Sequence, residues 1–413
     1  LYSMGIAGAI VALLAATLAL TVLPALLAVL GPRVNALSPR RLRHAAERGS
    51  RPARSGAWYR LAQFVIRRPA QVAIASAAVM VALGIPFFTQ VRFITADARV
   101  LPRSASAHQV HDALDTQFPP NRTSPLEVVV GASASSSAVR SFSERIAGLP
   151  AVSAVAPAQP AGRETSLLQV APVDGALTAS TEQLVREVRA IHTPIYLGVA
   201  GATASYLDLE HSLGAHLPAA LAFVVAATLI VLFLMTGSVV LPLKAVVMNA
   251  LNLGAVFGIL VLIFQNGNLQ GPLGYHGVGA LDATQPILLF AIGFGLATDY
   301  GVFLLARIKE AHDGGAPNAD AVALGLERTG RIVTAAALLF AVAVGAFATS
   351  QIVFIKELGV GTALAVLLDA SVIRVLLVPS LMALLGQLNW WAPRSLRRLH
   401  ERVGFQEGAP QTA

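Results

Sequence analysis

The sequence predicts a mostly α-helical polytopic membrane protein with about seven spans and one α/β ferredoxin-like domain outside the bilayer. Three observations predict it. Of 413 residues, 55% are hydrophobic and only 13% are charged, with mean hydropathy +0.67. A soluble domain carries about 25% charged residues because its whole surface must face water. The apolar residues also fall in runs of about 20, the length a helix needs to cross about 30 Å of hydrocarbon. Finally, one long polar region, 90–211, alternates helix and strand patterns.

The elements follow in order. Residues 3–30 form the first span. Their apolar run is too long for a signal-peptide core and lacks a basic leader, so it is expected to be a true span with further chain upstream. Residues 31–69 hold ten arginines and one acid, Glu47; this basic linker belongs on the cytoplasmic side. Part of it, 58–66, is amphipathic enough to lie on a membrane surface. The second span is 71–89.

The polar domain, 90–211, reads as helix 105–118, strand 126–130, helix 136–148, strands 152–155 and 166–171, helix 182–191 and strand 195–199. That rhythm points to a split βαβ layer, with Pro, Gly and Ser at the joints. Residues 213–385 then form a five-span bundle with spans at 213–235, 239–264, 286–306, 332–350 and 358–385. Residues 386–413 are a cytoplasmic tail.

Loop charges set the orientation. The loop 265–285 has no Lys or Arg, whereas 307–331 has Arg307, Lys309, Arg328 and Arg331, and the tail adds Arg394, Arg397, Arg398 and Arg402. Alternation from a cytoplasmic linker puts the α/β domain outside and both basic segments inside, as the positive-inside rule requires.

The first and last spans repeat each other. Met4-Gly-Ile-Ala, Leu13-Leu14 and Leu23-Pro-Ala-Leu-Leu match Leu358-Gly-Val-Gly, Leu367-Leu368 and Val378-Pro-Ser-Leu-Met, with one residue of slip. The first span therefore closes an earlier half as the last closes the later one.

Ionisable residues inside spans cost about 2.5–3.5 kcal/mol on insertion scales and are functional candidates for that reason. Asp299 sits inside the fifth span among Gly293, Gly295, Ala297 and Gly301, with the Tyr300 hydroxyl beside it. A buried carboxyl there is pushed towards neutrality and into a range where it exchanges protons. Asp299 and Tyr300 are therefore the candidate proton relay, with a permanently held ion pair as the other reading. Asp369 and Arg374 lie in the last span, where the repeat has Ala15 and Leu20, so packing alone does not demand charge. Five residues apart, they are not an ideal intrahelical pair; either could face Asp299, as an auxiliary relay or as a structural pair. Arg307 is placed to snorkel to the interface, with a part in the relay as its other reading, and Lys244 and Lys356 read as interface residues near span ends.

Other chemistries find no support. The absence of cysteine excludes disulfides and thiolate sites. His108, His111 and His211 lack metal-ligand spacing. There is no phosphate-cradling loop, nucleophile elbow or nucleic-acid module. The net charge of +8 belongs to the loops beside the spans. The chain is expected to be no enzyme and to need no cofactor; its energy would come from an ion gradient or from elsewhere.

The residues resemble a known family. Asp299-Tyr-Gly-Val-Phe-Leu-Leu-Ala-Arg-Ile-Lys-Glu310 resembles the Asp-Tyr signature of MMPL (mycobacterial membrane protein large) proteins, a subfamily of RND exporters. Leu326-Glu-Arg-Thr-Gly-Arg-Ile-Val, Phe354-Ile-Lys-Glu-Leu-Gly-Val-Gly, Leu368-Asp-Ala-Ser-Val-Ile-Arg374 and Asn389-Trp-Trp-Ala-Pro393 resemble their last two spans and exit. The resemblance implies an RND-type fold of twelve spans in two halves, each with a periplasmic porter domain. On that template this chain runs from the sixth span to the C-terminus, lacks the first five spans and first porter domain, and has its porter domain at 90–211. It implies proton antiport through Asp299 and Tyr300, facing a second Asp-Tyr pair in a span outside this sequence. It also implies an inner-membrane location and export of lipid or another hydrophobic cargo. Expected partners are that cargo, protons, membrane lipids and the missing N-terminal half or a homo-oligomer, with no nucleic acid. A non-transporting lipid- or sterol-sensing protein and an inactive truncated remnant are the competing readings.

Overall fold

The computed structural model describes residues 2–35, 56–95, 97–117 and 124–404. The chain divides into two compact units, Leu1–Gly56 and Ala57–Ala413. In the first, α1 (Tyr2–Leu30) is one continuous α-helix that runs through Pro24. The middle of the predicted basic linker, 36–55, lies outside the described residues.

The second unit opens with α2 (Ala57–Arg67), the segment expected to lie on a membrane surface. It is amphipathic, but its apolar side is taken by protein. Ala62 and Val65 are fully buried, and the Tyr59 N–H donates to Glu327 Oε2 at 2.8 Å. A Cβ on Gly330 would come within 2.7 Å of the Trp58 ring, so a glycine there lets the indole seat. After α3 (Pro69–Gln90) comes β1 (Phe93–Ile94), then α4 (Ser106–Gln117).

The α/β domain follows as β2 (Leu126–Val130), α5 (Ser137–Ala147), β3 (Val152–Val155), β4 (Gln159–Pro160), β5 (Ser166–Pro172), α6 (Ala179–Arg189) and β6 (Leu197–Ala200). Its strand order is β3-β5-β2-β6, antiparallel throughout, with β4 as an extra edge on β5. Two βαβ units interleaved this way give the split βαβ arrangement. The pattern on β2 explains its seating: Leu126, Val128 and Val130 point inward against Val139, Phe142 and Ile146 of α5 and Leu184, Val185 and Val188 of α6. Ser136 and Thr178 cap α5 and α6, satisfying N–H groups that have no partner within the helix.

The domain passes straight into α7 (Ala202–Thr236). After the turn at Gly237, α8 (Val240–Leu260) runs back and ends in a π turn, Val261–Gln265. Short α9 (Gln270–Leu273) and β7 (Leu281–Asp282) lead to α10 (Gln285–Asp313) and α11 (Asn318–Gly345). The last span is α12 (Val353–Leu368), a π-helical segment Asp369–Leu377, and α13 (Val378–Leu385). Helix α14 (Arg394–Val403) ends the described chain. β1 and β7 pair in parallel, clipping the exit of α3 to the loop before α10.

Among the described residues, seven helices are long and apolar enough to cross a membrane. Three extend well past their apolar runs. Helix α7 begins eleven residues before the expected 213, α10 continues seven beyond 306, and α11 starts fourteen before 332. An apolar run marks hydrocarbon thickness, and a helix continues past it wherever the flanking residues stay amphipathic. Helices α3 and α8 meet backbone to backbone. A Cβ on Gly258 would lie 1.8 Å from the Leu83 carbonyl oxygen, and one on Gly84 would lie 3.2 Å from the Gly254 carbonyl carbon. The Gly254–Gly258 spacing is the small-xxx-small device for close helix packing in lipid.

Candidate functional site

The last span and α10 build the most polar part of the bundle. Asp369 and Arg374 were expected to point apart, because residues five apart do so on a helix of 3.6 residues per turn. They are instead joined: Arg374 Nε donates to Asp369 Oδ2 at 2.6 Å, and their side chains are 4% and 5% exposed. The cause is local. Residues Asp369–Leu377 form a π-helix, whose wider turn bonds i to i+5 and brings five-apart residues onto one face. A π segment accommodates one extra residue in an α-helix. The slip between the first and last spans lies between Leu14–Leu23 and Leu368–Val378, the same place, and α1 stays α-helical throughout its counterpart. The inserted residue, read from the repeat, was the available signal for this pair.

From that anchor Arg374 reaches α10. Its Nη2 donates to the Ala297 carbonyl at 2.5 Å, and its guanidinium carbon lies 5.4 Å from the centre of the Tyr300 ring. A cation over an aromatic face is worth about 0.5–2 kcal/mol, most where it is desolvated. Nη1 is buried without a hydrogen-bond partner. Asp369, Arg374 and Tyr300 are thus brought together.

Asp299 is not part of that cluster. Sequence reasoning placed it among buried residues; it is exposed. The face of α10 that holds Gly293 and Ala297 is buried, while Ala291, Gly295 and Asp299, spaced by four, form an open stripe. A Cβ on Gly295 would meet nothing within 4 Å. Tyr300, next in sequence, turns towards Arg374, so the Asp-Tyr pair straddles the helix, with one group facing out and one facing in. Arg307 is exposed and pairs with Glu310 at 2.5 Å.

Both lysines assigned to interfaces are buried instead. Lys244 is 8% exposed and donates to Asn389 Oδ1 at 3.3 Å. It sits one turn into α8 on the same inward face as Leu241 and Met248, and distance from a helix end does not reveal which face a residue takes. It lines a cavity of about 30 Å³ together with Asn249, Thr298, Asp369 and Arg374. A water molecule needs about 10–15 Å³ on this scale and two to four polar partners, so the space suits a pair of waters. Asn249 donates to Thr298 at 3.4 Å and Asn252 to the Ala365 carbonyl at 3.0 Å, adding polar groups that apolar pattern alone did not flag.

Lys356 donates to the Leu273 and Gly274 carbonyls, holding α9 against the last span. Its neighbour Glu357 is buried with Oε2 unpartnered, and Gln285 nearby in the same layer donates to Phe354 O at 2.7 Å. Burial, and then the Glu357 charge, push the Tyr275 phenol up to about 12, so it remains a donor to the Ile263 and Asn268 carbonyls. Among the described residues no group of three metal-ligating side chains occurs.

The comparisons with known proteins agree in kind. The MMPL family model matches residues 1–72 and 100–409. A putative membrane protein of Streptomyces coelicolor is 40% identical over all of this chain and 56% of its own length. The trehalose monomycolate exporter MmpL3 of Mycobacterium tuberculosis is 36% identical over 96% of this chain and 46% of its own. The mycolic acid-containing lipids exporter MmpL11 of Mycolicibacterium smegmatis is 32% identical over 98% of this chain and 43% of its own. The chain thus spans about half the length of these relatives.

Proposed function

The chain belongs to the MMPL family, and from that premise we propose that it works within a proton-motive-force-driven exporter of lipid or other hydrophobic cargo across the inner membrane. The observation that carries this reading is the division of labour on α10. Asp299 stands on an open, small-residue face of a membrane helix, while Tyr300 behind it rests against Arg374, which Asp369 holds in place. A carboxyl on such a face, in a groove completed by a facing group of spans, can load and release a proton as water access changes. Arg374 then couples the state of α10 to the last span, since its contacts with Ala297 and Tyr300 move with that helix.

On this reading the facing spans come from the rest of the polypeptide or from a second copy. The α/β domain is the extracytoplasmic porter layer that handles cargo. The lipid exporters among the relatives support the cargo class. The protein is then a secondary active transporter whose inputs are protons and cargo.

The test is cargo efflux from energised vesicles under an imposed pH gradient, with the chain joined to or co-expressed with its facing spans. Asp299→Asn is expected to reduce efflux to the ungated background with the folded amount preserved. Tyr300→Phe is expected to slow efflux less, because water can stand in for one hydroxyl. Equal efflux from wild type and Asp299→Asn refutes the proton role and favours a lipid-sensing protein in which Asp299 is dispensable.

A further inference from the structure

Helix α14 follows the last span after the 3-10 turn Gly386–Trp390 and the link Trp391–Pro393, at the end of the bundle opposite the α/β domain. Its ten residues separate cleanly. Leu396, Leu399 and Val403 recur at i, i+3 and i+7 on one side, and Arg394, Arg397, Arg398 and Arg402 lie on the other with Glu401 as the sole acid. A third side docks. The His400 ring packs edge-on to Phe233 of α7 with centroids 5.9 Å apart, and sits in space that a Cβ on Gly237 would occupy.

That docking fixes where the other faces look. With His400 against α7, the apolar side is left open: Leu399 is 47% and Val403 60% exposed. Leu388 and Trp391, between the last span and α14, are exposed as well. The arginines are exposed too, and among the described residues Arg394, Arg398 and Arg402 have no partner, while Arg397 reaches only Glu401 at 3.7 Å. An open apolar strip on a helix that follows a membrane span, flanked by net positive charge, fits one surroundings: acyl chains on one side and anionic headgroups on the other. Tryptophan at the junction suits the same depth.

We propose that α14 is an interfacial helix whose apolar side lies among acyl chains and whose four arginines hold anionic phospholipid headgroups. The inference is independent of cargo and of proton coupling. It makes the bundle's far end a lipid-selective foot, with His400 as the pin.

The absence of cysteine makes the test direct. Single-cysteine variants of the full chain, Leu399→Cys and Val403→Cys, carry a bimane label in nanodiscs of brominated phosphatidylcholine with phosphatidylglycerol; Arg398→Cys and Arg402→Cys are controls. Strong quenching at 399 and 403 and weak quenching at the controls is expected. Equal or absent quenching at all four overturns the placement, as does a label at 399 shielded by a second copy or another protein. For the headgroups, native mass spectrometry counts retained phosphatidylglycerol. Each arginine near an anionic surface is worth about fivefold, so replacing all four with Gln is expected to cut its preference over phosphatidylcholine roughly tenfold or more. Replacing all four with Lys is expected to keep it. Unchanged preference in the Gln variant overturns the anionic assignment, and single Arg→Gln variants carry the same test should the quadruple fold poorly.

Discussion

The α/β domain and the helical bundle solve opposite problems with the same residue types. In the domain, leucine and valine fill the centre, and among its described residues the buried polar side chains are His108, Ser166, Thr181 and Thr203, none of them an acid, lysine or arginine. In the bundle, large apolar side chains face outward while Lys244, Asn249, Asn252, Asp369, Arg374 and Asn389 are buried. Water drives the first arrangement, because apolar area is expelled from it. Lipid exerts no such drive between helices, so close packing and hydrogen bonding hold the second, and polar groups collect where they can meet each other. Burial of a charge therefore means something different in the two regions: an error in the domain, a working part in the bundle.

The largest expected effect tests the bundle's interior. Arg374→Leu leaves Asp369 buried with no cation, and unfolding of the chain in detergent is expected to show a loss of about 3–5 kcal/mol. Removing both charges, Asp369→Leu with Arg374→Leu, is expected to recover most of that loss. Equal destabilisation by single and double variants would break the comparison, because the pair would then not be coupled through the π segment.

A matched pair of leucines sharpens it further. Leu168 is fully buried in the domain and Leu339 is 72% exposed on α11. Leu168→Ala is expected to cost about 2–5 kcal/mol through lost transfer and a residual cavity. Leu339→Ala faces lipid chains that replace its contacts, so a change within about 0.5 kcal/mol is expected in nanodiscs. Thermal scans of the two variants in the same lipid decide it; a similar loss at both sites contradicts the lipid-facing assignment.

The smallest effect lies at the junction of the two regions. Burial alone would raise the Asp97 carboxyl, but hydrogen bonds from Arg99 at 2.6–2.9 Å and its charge outweigh burial and hold it below 3.8. The sign follows: its stabilisation is complete above pH 3.8 and is lost as pH falls through the lower folded value. Asp97→Asn should remove that acid-side dependence and cost less than about 1 kcal/mol at neutral pH, since the pair is half-exposed. Thermal scans across acid pH that superimpose for the two proteins would show that the pair contributes nothing.

What could be read from the sequence divides along the same physical line. Strands such as Leu126–Val130 are bracketed by Pro125 and Gly131, and an apolar run between such residues has few other fates. Span positions were legible because hydrocarbon thickness dictates apolar length. Faces were not. Lys244 and Asp299 exchanged their expected environments because four or five residues from a span end says nothing of rotation about the helix axis. The Asp369–Arg374 pair was hidden by a change of helical pitch that 3.6-residue reasoning cannot contain. Its trace was the single-residue slip in the repeat.

The contact of Gly254 and Gly258 with Leu83 and Gly84 has a mechanical corollary. Where these glycines meet, the main chains of α3 and α8 touch with no side chain between them to change rotamer, and the Phe87 and Phe257 rings pack beside that contact with centroids 4.9 Å apart, which leaves little room to slide. Helices α3 and α8 must therefore travel as a single strut. Because α3 leads through β1 to the clip beside α10, any tilt of the strut is delivered as displacement at the entrance to the helix that bears Asp299.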